Sequence, residues 1–260
     1  MDKNLFKTDF EEDKLPSWHC PTCIEGILKL DKESLKVLFD NETVVHKDQE
    51  YFDYEYSTYV FHGHLYCNHC KENVVFSGTC AIDQVYDDQG DGDPYTVGKY
   101  VRMFSPKYFF PPLRLIQLPK NNEISDELKR LISKSFELYW CDADACATRI
   151  RATIELLLDG LGIEKNNTKG RKISLHERIA KISNEVSPEV KELFEAIKWM
   201  GNSGAHELNG ICHEQVFVAF EMLEHCLKEI YPSKDNLPLM LKLAKKINET
   251  SRRRVSRDKI

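Results

Sequence analysis

The amino-acid sequence predicts an α+β protein in two parts, a β-rich part over residues 1–120 and an all-α part over residues 121–260. Three observations carry that prediction. Aromatic and β-branched residues gather in short runs before residue 117, separated by turn-forming clusters. Pro106, Pro111, Pro112 and Pro119 then punctuate an extended stretch that no long helix can contain. From Asn121 onward, apolar residues recur at helical spacing behind recognisable caps.

In the first part, strands are expected around Leu35–Phe39, Tyr54–Leu65 and Val74–Phe76. The acidic cluster Asp87–Pro94 lacks the alternating ligands and distal glutamate of an EF-hand and reads as a solvated turn. In the second part, Ser125 caps a helix that carries Leu128, Leu131, Ile132 and Phe136 towards Trp140. A second helix, Asp142–Leu161, places Ile150, Ile154, Leu157 and Leu158 on one face and stops near Gly160 and Gly162. Ser174 and Glu177 form a capping-box sequence that opens a third helix. Ser187-Pro188 opens a fourth through Val190, Leu193, Phe194 and Ile197, with proline at the first helical position. A fifth is expected over His213–Ile230, with Val216, Phe220, Leu223 and Leu227 buried, and a last, more exposed one over Leu237–Glu249.

With 42% hydrophobic and 30% charged residues the composition is that of a folded chain. The net charge of −6 argues against nucleic-acid binding through bulk charge alone. Residues up to Lys120 carry about −7, so the acidity belongs to the β-rich part. The basic tail Arg252-Arg253-Arg254, with Arg257 and Lys259, reads as a solvated terminus. No stretch approaches the ~18–20 apolar residues of a membrane helix, and the opening MDKNLFKTDFEEDK lacks the basic-then-apolar order of a signal peptide. A cytoplasmic location away from membranes is therefore expected.

Nine cysteines without a signal peptide point to metal rather than disulfides. Cys20-Pro21-Thr22-Cys23 and Cys67-Asn68-His69-Cys70 are two C-x-x-C knuckles. Each presents two thiolates to one tetrahedral ion, and together they complete a closed four-cysteine site, the signature of structural zinc in a zinc-ribbon-type domain. The span between Cys23 and Cys67 exceeds a minimal ribbon, so an inserted hairpin is expected there. His19, His62, His64 and His69 lie near the knuckles and read as surface or supporting residues. Cys80, Cys141, Cys146, Cys212 and Cys226 fit no second ligand set and read as buried apolar thiols.

Gly201-Asn202-Ser203-Gly204-Ala205-His206 follows an apolar helical pattern. In a helix, Asn202 and His206 share one face, and each glycine costs about 1 kcal/mol relative to alanine. Close approach of another backbone, a helix end at Gly201, or a site that needs room would each justify them. Together with Phe110-Pro111-Pro112-Leu113, Arg151-Ala152-Thr153-Ile154-Glu155 and Leu175-His176-Glu177-Arg178-Ile179, this segment makes Tyr108–Tyr231 resemble the prokaryotic DUF4145 family, a domain of unknown function often preceded by a zinc ribbon. That family looks related to the HEPN superfamily of helical domains in toxin–antitoxin, antiphage and restriction-associated proteins. The resemblance implies a HEPN-like bundle, a homodimer through the helical domain, and RNA or DNA among the partners, with the zinc domain as a surface for a protein partner.

Active HEPN ribonucleases use Arg-x(4–6)-His at a dimer interface, often with Asn after the Arg, and need no metal. Asn202 and His206 match the Asn and the His, but the Arg position is Gly201. Cleavage through a 2′-hydroxyl requires proton transfer and a cation at the phosphate, and glycine supplies no charge. His206, Asn202 and Glu155 are the candidate catalytic residues. Arg151 and Lys198 are the candidate nucleic-acid contacts, and Arg149 is a further possible source of the cation. Each also has a structural reading: Arg151 and Glu155 as an i,i+4 ion pair, Asn202 as the cap of the following helix, His206 as a tie to Glu155, and Trp199 and Met200 as core or dimer interface. The expected function is a nucleic-acid- or antiphage-defence-associated module that binds and dimerises. The alternatives are a metal-independent ribonuclease using His206 and a scaffold that recognises protein alone.

Overall fold

The computed structural model describes residues 6–85, 98–121, 123–182, 188–206 and 210–232, with the side chains of 203–206 outside the description. The acidic turn at Asp87–Pro94, the expected helix Leu237–Glu249 and the basic tail lie outside the described residues. An antiparallel sheet comes first, followed by helices. The strands are β1 (Phe10–Glu11), β2 (Leu28–Phe39), β3 (Thr58–Cys67), β4 (Asn73–Val85) and β5 (Lys99–Phe110), in spatial order β1-β5-β4-β3-β2. Residues Tyr59, Phe61, Leu65 and Cys67 of β3 alternate inward while Val60, His62, His64 and Tyr66 alternate outward, the period-2 pattern of a sheet with one covered face.

β2 and β3 form the hairpin expected between the knuckles, with Leu28 opposite Cys67 and Phe39 opposite Tyr59. Its connection holds a short helix α1 (Asn41–His46), capped by Asp40, and a 3-10 turn at Tyr54–Tyr56 where the sequence suggested strand. β5 accommodates Pro106 at a bulge: Ser77 pairs with Tyr108 and Gly78 with Pro106, leaving Lys107 as the extra residue. A proline interrupts a ladder least at such an irregularity.

The helices follow their caps closely. α2 (Asp126–Tyr139) starts at Ser125, whose hydroxyl accepts from Leu128 N–H; α3 (Ala143–Gly160) starts at Asp142. α4 (Leu175–Ala180) has the full Ser174/Glu177 capping box. α5 (Pro188–His206) and α6 (His213–Ile230) complete the described set. Ile150, Ile154, Leu157 and Leu158 of α3 and Val216, Phe220, Leu223 and Leu227 of α6 are fully buried.

Sheet and helices share one continuous apolar core. Trp18 stands edge-on to both Phe109 (5.1 Å between centroids) and Trp140 (6.0 Å), and Phe109 lies 4.9 Å from Trp140. On the far side Phe6 packs on Phe217 at 5.6 Å, and the Tyr139 hydroxyl donates to Phe6 O at 3.1 Å. Cys80, Cys146 and Cys226 are buried in this core, and burial pushes the Cys80 and Cys226 thiols up to about 11 and 12. Cys141 and Cys212 are exposed, contrary to the sequence reading: one follows the end of α2 and the other stands at the N-cap of α6, both outside the packed helical faces.

Candidate functional site

Two places gather chemistry: the paired knuckles at one end of the sheet and the contact between α3 and α5. The knuckles have matching backbones. In each, the residue after the second cysteine, Ile24 or Lys71, adopts the left-handed conformation, with φ of 66° and 64°. That turn points N–H groups back at the sulfurs. Thr22 N–H reaches Cys20 Sγ at 3.4 Å, Gly26 N–H reaches Cys23 Sγ at 3.3 Å, and His69 and Cys70 N–H both reach Cys67 Sγ at 3.4 Å. Asn68 ties the two knuckles together, donating from its backbone to Ile27 O at 3.1 Å and accepting from Ile27 N–H through Oδ1 at 2.9 Å.

The four sulfurs of Cys20, Cys23, Cys67 and Cys70 lie within 4.8 Å of one another. Sγ–Sγ is 3.6 Å for Cys20–Cys70 and 3.7 Å for Cys23–Cys67. A tetrahedron of thiolates with metal–sulfur bonds of about 2.3 Å has edges of about 3.8 Å, so the cluster has the size of a four-coordinate metal site. Electrostatics agree with a cationic centre. Gly26 N–H holds the Cys23 thiol down to about 6. For Cys70 the Glu72 backbone hydrogen bond is outweighed by burial and by the three neighbouring sulfurs, which push it up to about 12. Four thiols this close cannot all ionise without a cation among them. His69 is exposed, with Nε2 3.9 Å from Glu25, and His19 Nδ1 lies 3.0 Å from Ile24 O; neither belongs to the sulfur cluster.

Gly201 explains itself at the second place. α5 continues as helix through His206, so Gly201 is no helix end and Asn202 caps nothing; the N-cap of α6 is Cys212. A Cβ on Gly201 would stand 2.6 Å from Arg151 Cβ and 3.1 Å from Ala147 O. Close approach of the α3 backbone is what requires the glycine. Above that contact the Arg151 guanidinium faces Glu155 at 3.7 Å, one helical turn away, with both side chains about one-third exposed. Asn202, the next residue of α5, is half-buried, and the side chain of His206 lies outside the described residues.

Lys198 sits elsewhere on α5 and is 5% exposed. Its ammonium bonds Glu195 and lies 4.4 Å from the Trp199 ring, while His176 Nδ1 donates to the same carboxylate at 2.7 Å. Burial raises the Glu195 carboxyl, but these two hydrogen bonds outweigh it and hold the group below its ordinary range. Trp199 is 63% exposed and so is no core residue within one chain, whereas Met200 packs against the core. Sequence reasoning also missed Arg178, which is 3% exposed and donates to Asp159 Oδ1 (2.6 Å), Ile163 O (2.7 Å) and Glu155 O (3.3 Å). Its i+3 spacing from the buried Leu175 was the available signal.

Residues 133–253 match the model of a domain of unknown function, DUF4145. Residues 8–109 match a second, DUF8608. No curated protein and no solved structure matches the chain. The DUF8608 span takes in β1 to β5 and both knuckles, so the four cysteines belong to that module alone. The DUF4145 span takes in α3 to α6 and therefore Arg151, Glu155, Gly201 and Asn202 together.

Proposed function

We propose that this chain is a nucleic-acid-associated, defence-type binding module: a zinc-stapled sheet joined to a HEPN-like bundle that dimerises and binds without HEPN catalysis. The observation that carries this reading is the contact at Gly201. The position where an active HEPN motif holds its arginine is here packed against Arg151 and the Ala147 carbonyl, with no room for a side chain. A motif that retains Asn202 and His206 but gives its cationic position to helix packing serves architecture before phosphate chemistry. Zinc is the ion that best fits four thiolates in a closed tetrahedron with no position left for substrate, so its role is to fix the knuckles and not to react.

One observation favours the ribonuclease alternative. The Arg151 stem lies against the glycine that replaces the motif arginine, and its guanidinium faces Glu155, so α3 brings a cation to the neighbourhood of the motif. The two readings separate in one experiment. The purified chain is incubated with single-stranded RNA in EDTA, alongside His206→Ala, and binding is measured from 50 to 300 mM salt. Salt-dependent binding without cleavage is expected. Cleavage that disappears in His206→Ala would overturn the binding-only reading, and binding to neither RNA nor DNA at any salt would leave the protein-only scaffold.

A further inference from the structure

A cavity of about 540 Å³, lined in part by Arg151, opens between α3, the connection 163–174 and α4. Its volume falls within the ~300–1,000 Å³ of small-molecule sites. In a chain of net charge −6, the cavity wall carries four cations, Arg151, Lys165, Lys172 and Arg178, against two carboxylates, Glu155 and Glu177. The cations come from three separate segments, so no single helix face or loop accounts for their convergence.

Their commitments differ. Arg178 is fixed in its plane by three acceptors, and Lys165 bonds Asp159 at 2.8 Å behind the wall. Glu177 accepts from Ser174 N–H at 2.7 Å and from the Ser174 hydroxyl at 2.8 Å, both through Oε2, contacts that hold its carboxyl low and commit that oxygen to the cap. Arg151 and Lys172 remain uncommitted: among the described residues Arg151 has only the 3.7 Å approach to Glu155, and Lys172 makes no ion pair. Among the described residues, the Nε–H groups of Arg151 and Arg178 are both out of solvent and have no acceptor. Buried donors in native structures are almost always paired, so two unpaired ones in arginines of one wall leave the local hydrogen bonding incomplete. Planar guanidiniums paired with ammoniums match the oxygens of a phosphate, which accepts from several directions and carries the charge to balance them.

We infer that this cavity binds a phosphate group, inorganic or carried on a ligand of nucleotide size, with Arg151 and Lys172 as its adjustable contacts and Arg178 as the rigid one. The site shares Arg151 and Glu155 with the proposed nucleic-acid reading but does not require it; a chain that binds phosphate but no RNA keeps this inference and loses that one.

The test is calorimetric titration of the full chain with inorganic phosphate at constant ionic strength, then with a nucleoside monophosphate and its unphosphorylated nucleoside. Saturable binding of phosphate, of the monophosphate or of both is expected, with no binding of the nucleoside; the tighter of the two identifies the source. Lys172→Glu, which alters an exposed side chain, should weaken binding at least tenfold, and Arg151→Ala, which keeps the Cβ packed on Gly201, should do the same. Lys169→Glu, outside the cavity wall, should leave it unchanged. Absence of saturable binding, or binding equally strong in Lys172→Glu and Arg151→Ala, would overturn the assignment.

Discussion

At the scale of single residues, Gly201 is the position on which the reading of the helical half turns. The sequence presents it as a lost arginine; the structure presents it as the point where α5 touches α3 most closely. The two descriptions predict different outcomes for restoring a side chain. Gly201→Ala gains about 1 kcal/mol of helix propensity but drives a methyl to 2.6 Å from Arg151 Cβ and 3.1 Å from the Ala147 carbonyl. Neither neighbour is the free end of a flexible side chain, so overpacking of about 1–3 kcal/mol prevails and the variant is less stable than the parent. Gly201→Arg should lose its cooperative unfolding transition before it gains any ribonuclease activity. Urea denaturation of the alanine variant checks this: a midpoint equal to or above that of the parent would show that the helices can part and that the glycine is not there for packing.

At the scale of elements, the sequence disclosed more of the helices than of the strands. Caps and periodicity placed α2, α3, α4 and α6 closely because the signals lie within a few residues of the structure they cause. The strands are longer than their aromatic runs suggested; β4 extends to Val85 through Thr79, Ala81 and Asp83, held by pairing with β5 and not by its own composition. The metal knuckles were legible from spacing and their flanking glycines, but not that Gly26 is what lets them meet. A Cβ on Gly26 would fall 2.2 Å from Cys67 Sγ and 2.9 Å from His69 Cβ, so the first knuckle can close on the second only without one. Gly26→Ala is therefore expected to abolish stoichiometric metal binding while all four cysteines remain. Metal content by mass spectrometry measures this directly. A variant that still carries one ion per chain would mean that the four sulfurs need not approach as closely as 3.6–3.7 Å to hold it.

At the scale of the whole molecule, composition and prolines suggested a boundary near residue 120, and nothing in the sequence announced what crosses it. Trp18, Phe109 and Trp140 are 122 residues apart at their extremes and meet with Trp18 edge-on to the other two rings, a contact that no local pattern encodes. The phosphate-cavity wall was hidden for the same reason: Arg151, Lys165, Lys172 and Arg178 read as scattered surface charges until the fold brings three segments together. Trp140 is 2% exposed at the end of α2 and touches Phe109 of β5 and Trp18 of the segment before β2, so removing its ring empties the junction itself. Trp140→Ala should cost about 3–5 kcal/mol, the range for a buried aromatic replaced by alanine. Because the lost contacts belong to both halves, the cost should appear in both at once. Helical circular dichroism reports α2–α6 and the infrared amide I band of the antiparallel strands reports the sheet, and in the parent chain the two should melt together as one cooperative unit. In Trp140→Ala both curves should shift down by the same amount or separate into two transitions. A sheet signal that keeps its parental midpoint while the helices melt as before would show that the aromatic junction holds nothing together.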